Sequence, residues 1–183
     1  MHSAVPLGMA AVLLAAPLAA QDAPPRFFLE GRAGAAVPTF DIADVANTGT
    51  AFGGTIGYHV SPRWILFGEF DTGLHQDEAT GTVDITTRHY MAKLGYSLTG
   101  QKTKGWEASV NLGAGAVNFA VDGAPESFTY FAINAGAKIA YNISRTFALV
   151  LSPQGDIAFS DENELTTTNA WVWPFTVGIR LRF

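Results

Sequence analysis

Cysteine is absent from all 183 residues, so the chain has no disulfide framework, thiolate metal centre, lipid-anchored N-terminal cysteine or cysteine nucleophile. Charge is sparse as well. Charged side chains make up 15% of the sequence and the formal charge is −5, which leaves no basic surface of the kind nucleic acid requires. Beyond the N-terminal segment, no apolar run approaches the ~20 residues a spanning helix needs, so any insertion into a membrane must be by strands. Histidine is scarce too: one of the four falls in the N-terminal segment, and no two are spaced as ligands on a shared strand face. No metal or other cofactor is therefore expected. What the chain has in plenty is glycine (19), phenylalanine (13) and apolar residues (48%), which suits a sheet with one lipid-facing side.

Ala4 to Ala20 is almost wholly small and apolar and is followed by Gln21, Asp22 and two prolines. At an N-terminus this pattern reads as a cleaved secretory signal, with the cut after Ala20. Leu18 is bulky for the third position before the cut, and Met1-His2-Ser3 carries no Lys or Arg. The chain thus divides into a signal at 1–20, a short lead at 21–26 and one domain at 27–183.

The domain is organised around its last stretch. Trp171, Trp173, Phe175, Val177, Ile179, Leu181 and Phe183 form an unbroken apolar series, while Thr176, Gly178, Arg180 and Arg182 lie between them. Successive side chains on a strand point to opposite faces, so this is a strand with two unlike sides. The same alternation recurs upstream from Phe27 to Val37, about Ala51 to Val60, Trp64 to Leu74, about Val83 to Leu98, from Trp106 onward, around Phe131 to Tyr141, and from Phe147 to Phe159. That makes eight segments and seven connections. The odd connections are mostly long and acidic, such as PTFDIADVANTGT at Pro38 to Thr50, which reads as an exposed loop, and SDENELTTT at Ser160 to Thr168. The even ones are short, as at Ser61-Pro62-Arg63.

Eight alternating strands, this loop parity and the closing VGIRLRF at Val177 to Phe183 resemble the small outer-membrane β-barrels of Gram-negative bacteria, the OmpA/OmpX-type and opacity-protein-like family. The resemblance spans the whole mature chain and is specific for architecture rather than activity. It implies an all-β fold, an eight-stranded antiparallel up-and-down transmembrane β-barrel in the cell outer membrane, with odd loops outside the cell and even turns in the periplasm. It implies a C-terminal signal, carried by Ile179, Leu181 and Phe183, read by the barrel-assembly machinery. It also implies contact with outer-membrane lipids and lipopolysaccharide, and display of a surface ligand site on the loops. Trp64, Tyr96, Trp106, Tyr141, Trp171 and Trp173 fall at strand ends, where aromatic girdles belong.

With the apolar phase outward, Glu30, Arg32, Glu69, Asp71, Lys93, Glu107, Lys138, Asp156, Arg180 and Arg182 point inward, five acids against five bases. Charges in a narrow interior are tolerable only when paired, and counting from strand ends pairs Glu30 with Arg180 or Arg182, Glu69 with Lys93, and Glu107 with Lys138. An eight-stranded barrel is just wide enough for its own side chains to fill, so a plugged, non-enzymatic interior is expected. Two enzyme-like patterns compete with that reading. His59-Val60-Ser61 is similar to the His-x-Ser of lipid A deacylases but straddles a periplasmic turn, and His75 beside Asp71, Asp77 and Glu78 has the composition of an Asp-His protease dyad. Gly113-Ala114-Gly115 lies inside a strand and is no nucleotide loop. Asp77, Glu78, Asp161, Glu162 and Glu164 offer carboxylates to cations bridging lipopolysaccharide phosphates. A narrow channel is the remaining alternative.

Overall fold

The computed structural model describes residues 24–44, 46–76, 83–122, 127–161 and 169–183. The signal assigned to 1–20 and loop residues Asp77, Glu78, Glu162 and Glu164 lie outside them. Eight strands run in chain order: β1 (Phe27–Thr39), β2 (Gly49–His59), β3 (Trp64–Gln76), β4 (Val83–Ser97), β5 (Gly105–Val121), β6 (Ser127–Asn142), β7 (Phe147–Ala158) and β8 (Ala170–Arg182). Each pairs antiparallel with its sequence neighbours, and β8 returns to β1, closing the barrel. Phe27 and Phe183 exchange backbone hydrogen bonds at the seam, so both ends of the domain leave at the rim that carries the short turns. Closure leaves no unpaired sheet edge. Among the described residues no helix is long and apolar enough to cross a membrane.

The period of two sets the inside and outside of every strand. Along β1, Phe28, Glu30 and Arg32 are buried while Phe27, Leu29 and Gly31 are exposed, and β8 shows the same alternation. Leu112 is 68% exposed, Val177 62% and Ile56 61%, on the outer surface. Water would penalise so continuous an apolar exterior.

Local chemistry shapes the turns. Ser61 Oγ accepts the amides of Arg63 and Trp64, and Ser144 Oγ accepts those of Thr146 and Phe147, so two of the short turns close by the same serine device. In the third, Gly100 and Gly105 sit at φ of 74° and 87°, a region that side chains with a Cβ rarely adopt.

The first connection departs from the sequence reading. Instead of a wholly exposed loop, β1 runs on to Thr39 and Phe40–Asp44 forms a short 3-10 helix. Ile42 is 5% exposed and joins a cluster of Met91, Val117, Phe119, Ala132, Ala158 and Ala170. Two aspartates and an asparagine mark this stretch as solvent-facing, but the single isoleucine finds an apolar patch at the barrel mouth. That patch exists because the inward phase of β5 turns from polar to apolar above Gly115, at Val117 and Phe119.

Inward glycines make room for the larger interior side chains. A Cβ at Gly57 would fall within the Phe28 ring. Gly57→Val is expected to destabilise the barrel by about 1–3 kcal/mol, as overpacking does in other close-packed interiors. Denaturant unfolding of detergent-folded protein measures this, with no change from the native midpoint as the contrary result.

Candidate functional site

All ten charged residues expected inside are buried there, none more than 6% exposed. Eight of them form one connected network. Arg180 bonds Glu30 at 2.7 Å and approaches Glu107 at 3.4 Å. Lys138 bridges Glu30 at 2.5 Å and Glu69 at 2.9 Å. Glu69 also holds Lys93, and it receives Arg32 at 3.0 Å, whose other nitrogen grips both oxygens of Asp71. Hydrogen bonds between ionised partners such as these are shorter and stronger than those between neutral groups.

Neutral groups complete the network. Thr55 Oγ donates to Glu69, Lys138 donates to Thr55, Lys93 to the Gln154 amide oxygen, and Arg32 to Ser152. A Cβ at Gly136 would collide with the Gln154 amide, so the glycine is what allows Gln154 its position. Aromatic faces also support the cations: Arg180 lies 4.5 Å from the Phe28 ring centre and Lys138 5.0 Å from that of Phe67.

One expected pairing differs. Glu107 does not meet Lys138; it accepts from Arg180 and from the Lys102 amide, while Lys138 crosses the interior to β1 and β3. Counting along adjacent strands finds neighbours on the wall but not contacts across the axis, and long side chains in a narrow barrel take the latter. Arg182, offered as a partner for Glu30, instead donates to the backbone carbonyls of Lys102 at 2.6 Å and Ser144 at 2.8 Å. It thereby ties two turns together beneath the barrel, where Gln101 also donates to the Pro25 carbonyl.

Asp156 belongs to a second system nearer the loop end. His89 Nδ1 lies 2.8 Å from its carboxylate, the Asn134 amide donates to its other oxygen at 2.7 Å, and His89 Nε2 meets Thr87 Oγ at 3.2 Å. Thr87 in turn contacts His75, whose Nδ1 is 3.1 Å from the Asn47 carbonyl. The Asp71–His75 dyad is therefore not formed, because Arg32 takes Asp71 and Thr87 takes His75. Thr87, His89 and Asn134 carried no signal beyond inward phase, and what links them is strand neighbourhood, which alternation alone does not give. His59 is buried against Phe28 while Ser61 Oγ is engaged by its own turn, so they are committed to different surroundings.

On the outer surface, Trp64 packs edge-on to Tyr96 and Trp106 beside Tyr141 near the turn end, joined there by Phe27 and Tyr58, which the sequence reading passed over. Arg63 donates to the Tyr96 hydroxyl at that level. Trp171 and Trp173 stand at the opposite end, against Phe40 and Phe175. Ile179, Leu181 and Phe183 face outward at the closing seam.

The same closed barrel occurs in solved outer-membrane proteins. Neisserial surface protein A is 12% identical, with a TM-score of 0.66 over 86% of this chain and 97% of its own. OprG of Pseudomonas aeruginosa is 13% identical, with a TM-score of 0.60 over 87% and 96%. The attachment invasion locus protein Ail of Yersinia pestis is 16% identical, with a TM-score of 0.53 over 88% and 100%. Among curated proteins none matches the sequence. At these identities the structures speak to fold alone, but the sequence itself matches the outer membrane protein β-barrel domain over residues 8–183. Closed strand topology, an apolar exterior and that match together make this chain a member of the outer membrane protein β-barrel family, located in the outer membrane.

Proposed function

We propose that this protein is a non-enzymatic, non-conducting barrel whose role is to anchor a rigid cylinder in the outer membrane and hold its odd-numbered loops at the cell surface. The observation that carries the proposal is the connected interior network, in which Glu30, Arg32, Glu69, Lys93 and Lys138 meet across the axis. A conducting path there would have to break these ion pairs, whose side chains are at most 3% exposed and reach one another from different strands. Purified protein in planar bilayers is expected to give no single-channel steps. Reproducible conductance from heat-modifiable, folded protein would reject the filled lumen.

The arrangement that most favours an enzyme is Asp156–His89–Thr87, which has the order of an acid, a base and a hydroxyl. Each of the three is only 2% exposed, inside the barrel wall, so the geometry fits interior hydrogen bonding better than attack on a substrate. Neisserial surface protein A and the attachment protein Ail carry names that refer to the surface or to attachment. The surface role proposed here rests on the loops, whose ligand is a further part of the proposal, as is contact of loop carboxylates such as Asp161 with cations bound to lipopolysaccharide. The apolar exterior implies lipid as the barrel's constant partner.

The outward series Ile179, Leu181 and Phe183 is proposed as the element read by the assembly machinery. Phe183→Ala is expected to lower the amount of folded protein recovered from outer membranes while leaving refolding in detergent unchanged. Fractionation and heat-modifiability measure the two separately, and equal recovery of variant and native protein would remove Phe183 from that role.

A further inference from the structure

Arg88 breaks the pattern of the outer surface. Positively charged residues of the strands otherwise face inward, yet Arg88 stands in the outward phase of β4, between Thr86 and Tyr90. Register places it in a polar row: Thr72 of β3 lies opposite Arg88, Arg88 opposite Asn118 of β5, and Asn118 opposite Thr129 of β6. Arg88 Nη1 donates to the Asn118 amide oxygen at 3.3 Å, and the Asn118 nitrogen donates to Thr129 Oγ at 2.9 Å. Among the described residues no carboxylate forms a salt bridge with Arg88. The acceptor described for it is the neutral Asn118 amide, which orients the guanidinium along the row.

Height along the barrel gives the row its meaning. Arg88 lies eight residues above Tyr96 of the turn-end aromatic ring on the same strand. At a rise of about 3.4 Å per residue and a tilt of about 40°, that is about 20 Å along the axis, close to the far edge of an apolar band about 25 Å tall. There the penalty for an outward arginine falls to about 0–1 kcal/mol, and lipid headgroups supply anions. Immediately below the row, Leu29, Ile56, Gly68, Phe70, Tyr90 and Ala92 line an open groove of about 710 Å³. Gly68, which has no side chain, and Ala92 leave room among the larger apolar residues that line it.

We propose that Arg88, oriented by Asn118, binds the phosphate of an anionic outer-leaflet lipid, one acyl chain of which lies in the groove beneath. A polar row directly above an apolar slot matches the head and tail of one amphiphile, and the positive charge selects phosphate that lacks a balancing choline. The inference depends on membrane placement alone and not on whether the lumen conducts.

The test uses folded protein in nonionic detergent, offered equimolar dioleoyl phosphatidic acid and dioleoyl phosphatidylcholine and analysed by native mass spectrometry. Native protein is expected to retain phosphatidic acid in preference to phosphatidylcholine. Arg88→Gln is expected to weaken that preference roughly fivefold, as removal of one surface cation should, and Arg88→Lys is expected to keep more of it than Arg88→Gln. Heat-modifiability of each variant establishes folding before binding is compared. Equal selectivity in native protein and folded Arg88→Gln overturns the proposal, and so does absence of any preference in the native protein.

Discussion

Replacing Glu69 with leucine is expected to lower the unfolding free energy by about 3–5 kcal/mol, the range seen when one partner of a buried charge set is removed. Glu69 is the hub of the interior: Arg32, Lys93 and Lys138 all reach its carboxylate, and Thr55 donates to it as well. Its loss leaves three cations, whose side chains are at most 3% exposed, with fewer anions. Lys138 keeps Glu30 and Arg32 keeps Asp71, so Lys93 is the most exposed to the change, left with the Gln154 amide oxygen at 3.1 Å. Adding Lys93→Met to Glu69→Leu should therefore recover part of the lost stability, since it removes the cation that has no other described carboxylate. Denaturant titration of folded protein in detergent reads both variants. A double variant no more stable than Glu69→Leu alone would show that Lys93 is not the stranded charge.

The second large effect belongs to the exterior. Leu112→Arg is expected to cost about 2–4 kcal/mol in a bilayer, as an arginine near the membrane midplane does on other barrels. Leu112 is 68% exposed and lies six residues along β5 from Trp106 of the turn-end ring, about halfway up the apolar band. In detergent micelles, where headgroups and water come closer, the same substitution should cost less. That difference separates a lipid effect from a packing effect. Insertion yield into phosphatidylcholine vesicles, compared with folding yield in detergent, is the measurement. Equal losses in the two media would mean that Leu112 is not facing acyl chains. Arg88 provides the internal contrast, since its outward charge at the upper edge of the band is part of the native protein.

These expectations rest on two different kinds of information. Which face each strand residue takes was legible in the sequence. Glu30 and Leu29, or Arg180 and Ile179, differ by one position, and a period of two puts them on opposite sides whatever the rest of the chain does. The same logic read the number of strands and the parity of the connections, and it paired Glu30 with Arg180 or Arg182 and Glu69 with Lys93 across neighbouring strands; Glu107 and Lys138 are neighbours in the same sense and do not meet, so adjacency names candidates and not contacts. Where a residue was read only by phase, as with His89, the face was given but the partner was not.

The tertiary structure alone decided what meets across the axis. Lys138 of β6 contacts Glu30 of β1 and Glu69 of β3 because closure and strand stagger bring distant strands to one height, a relation that no local spacing encodes. It likewise decided that Ile42 would leave its polar loop to cover an apolar patch, since that patch is assembled from β4, β5, β6, β7 and β8 together. Alternation is a property of a single strand and can be read from the chain, whereas the meeting of side chains inside a cylinder depends on how all eight strands are staggered.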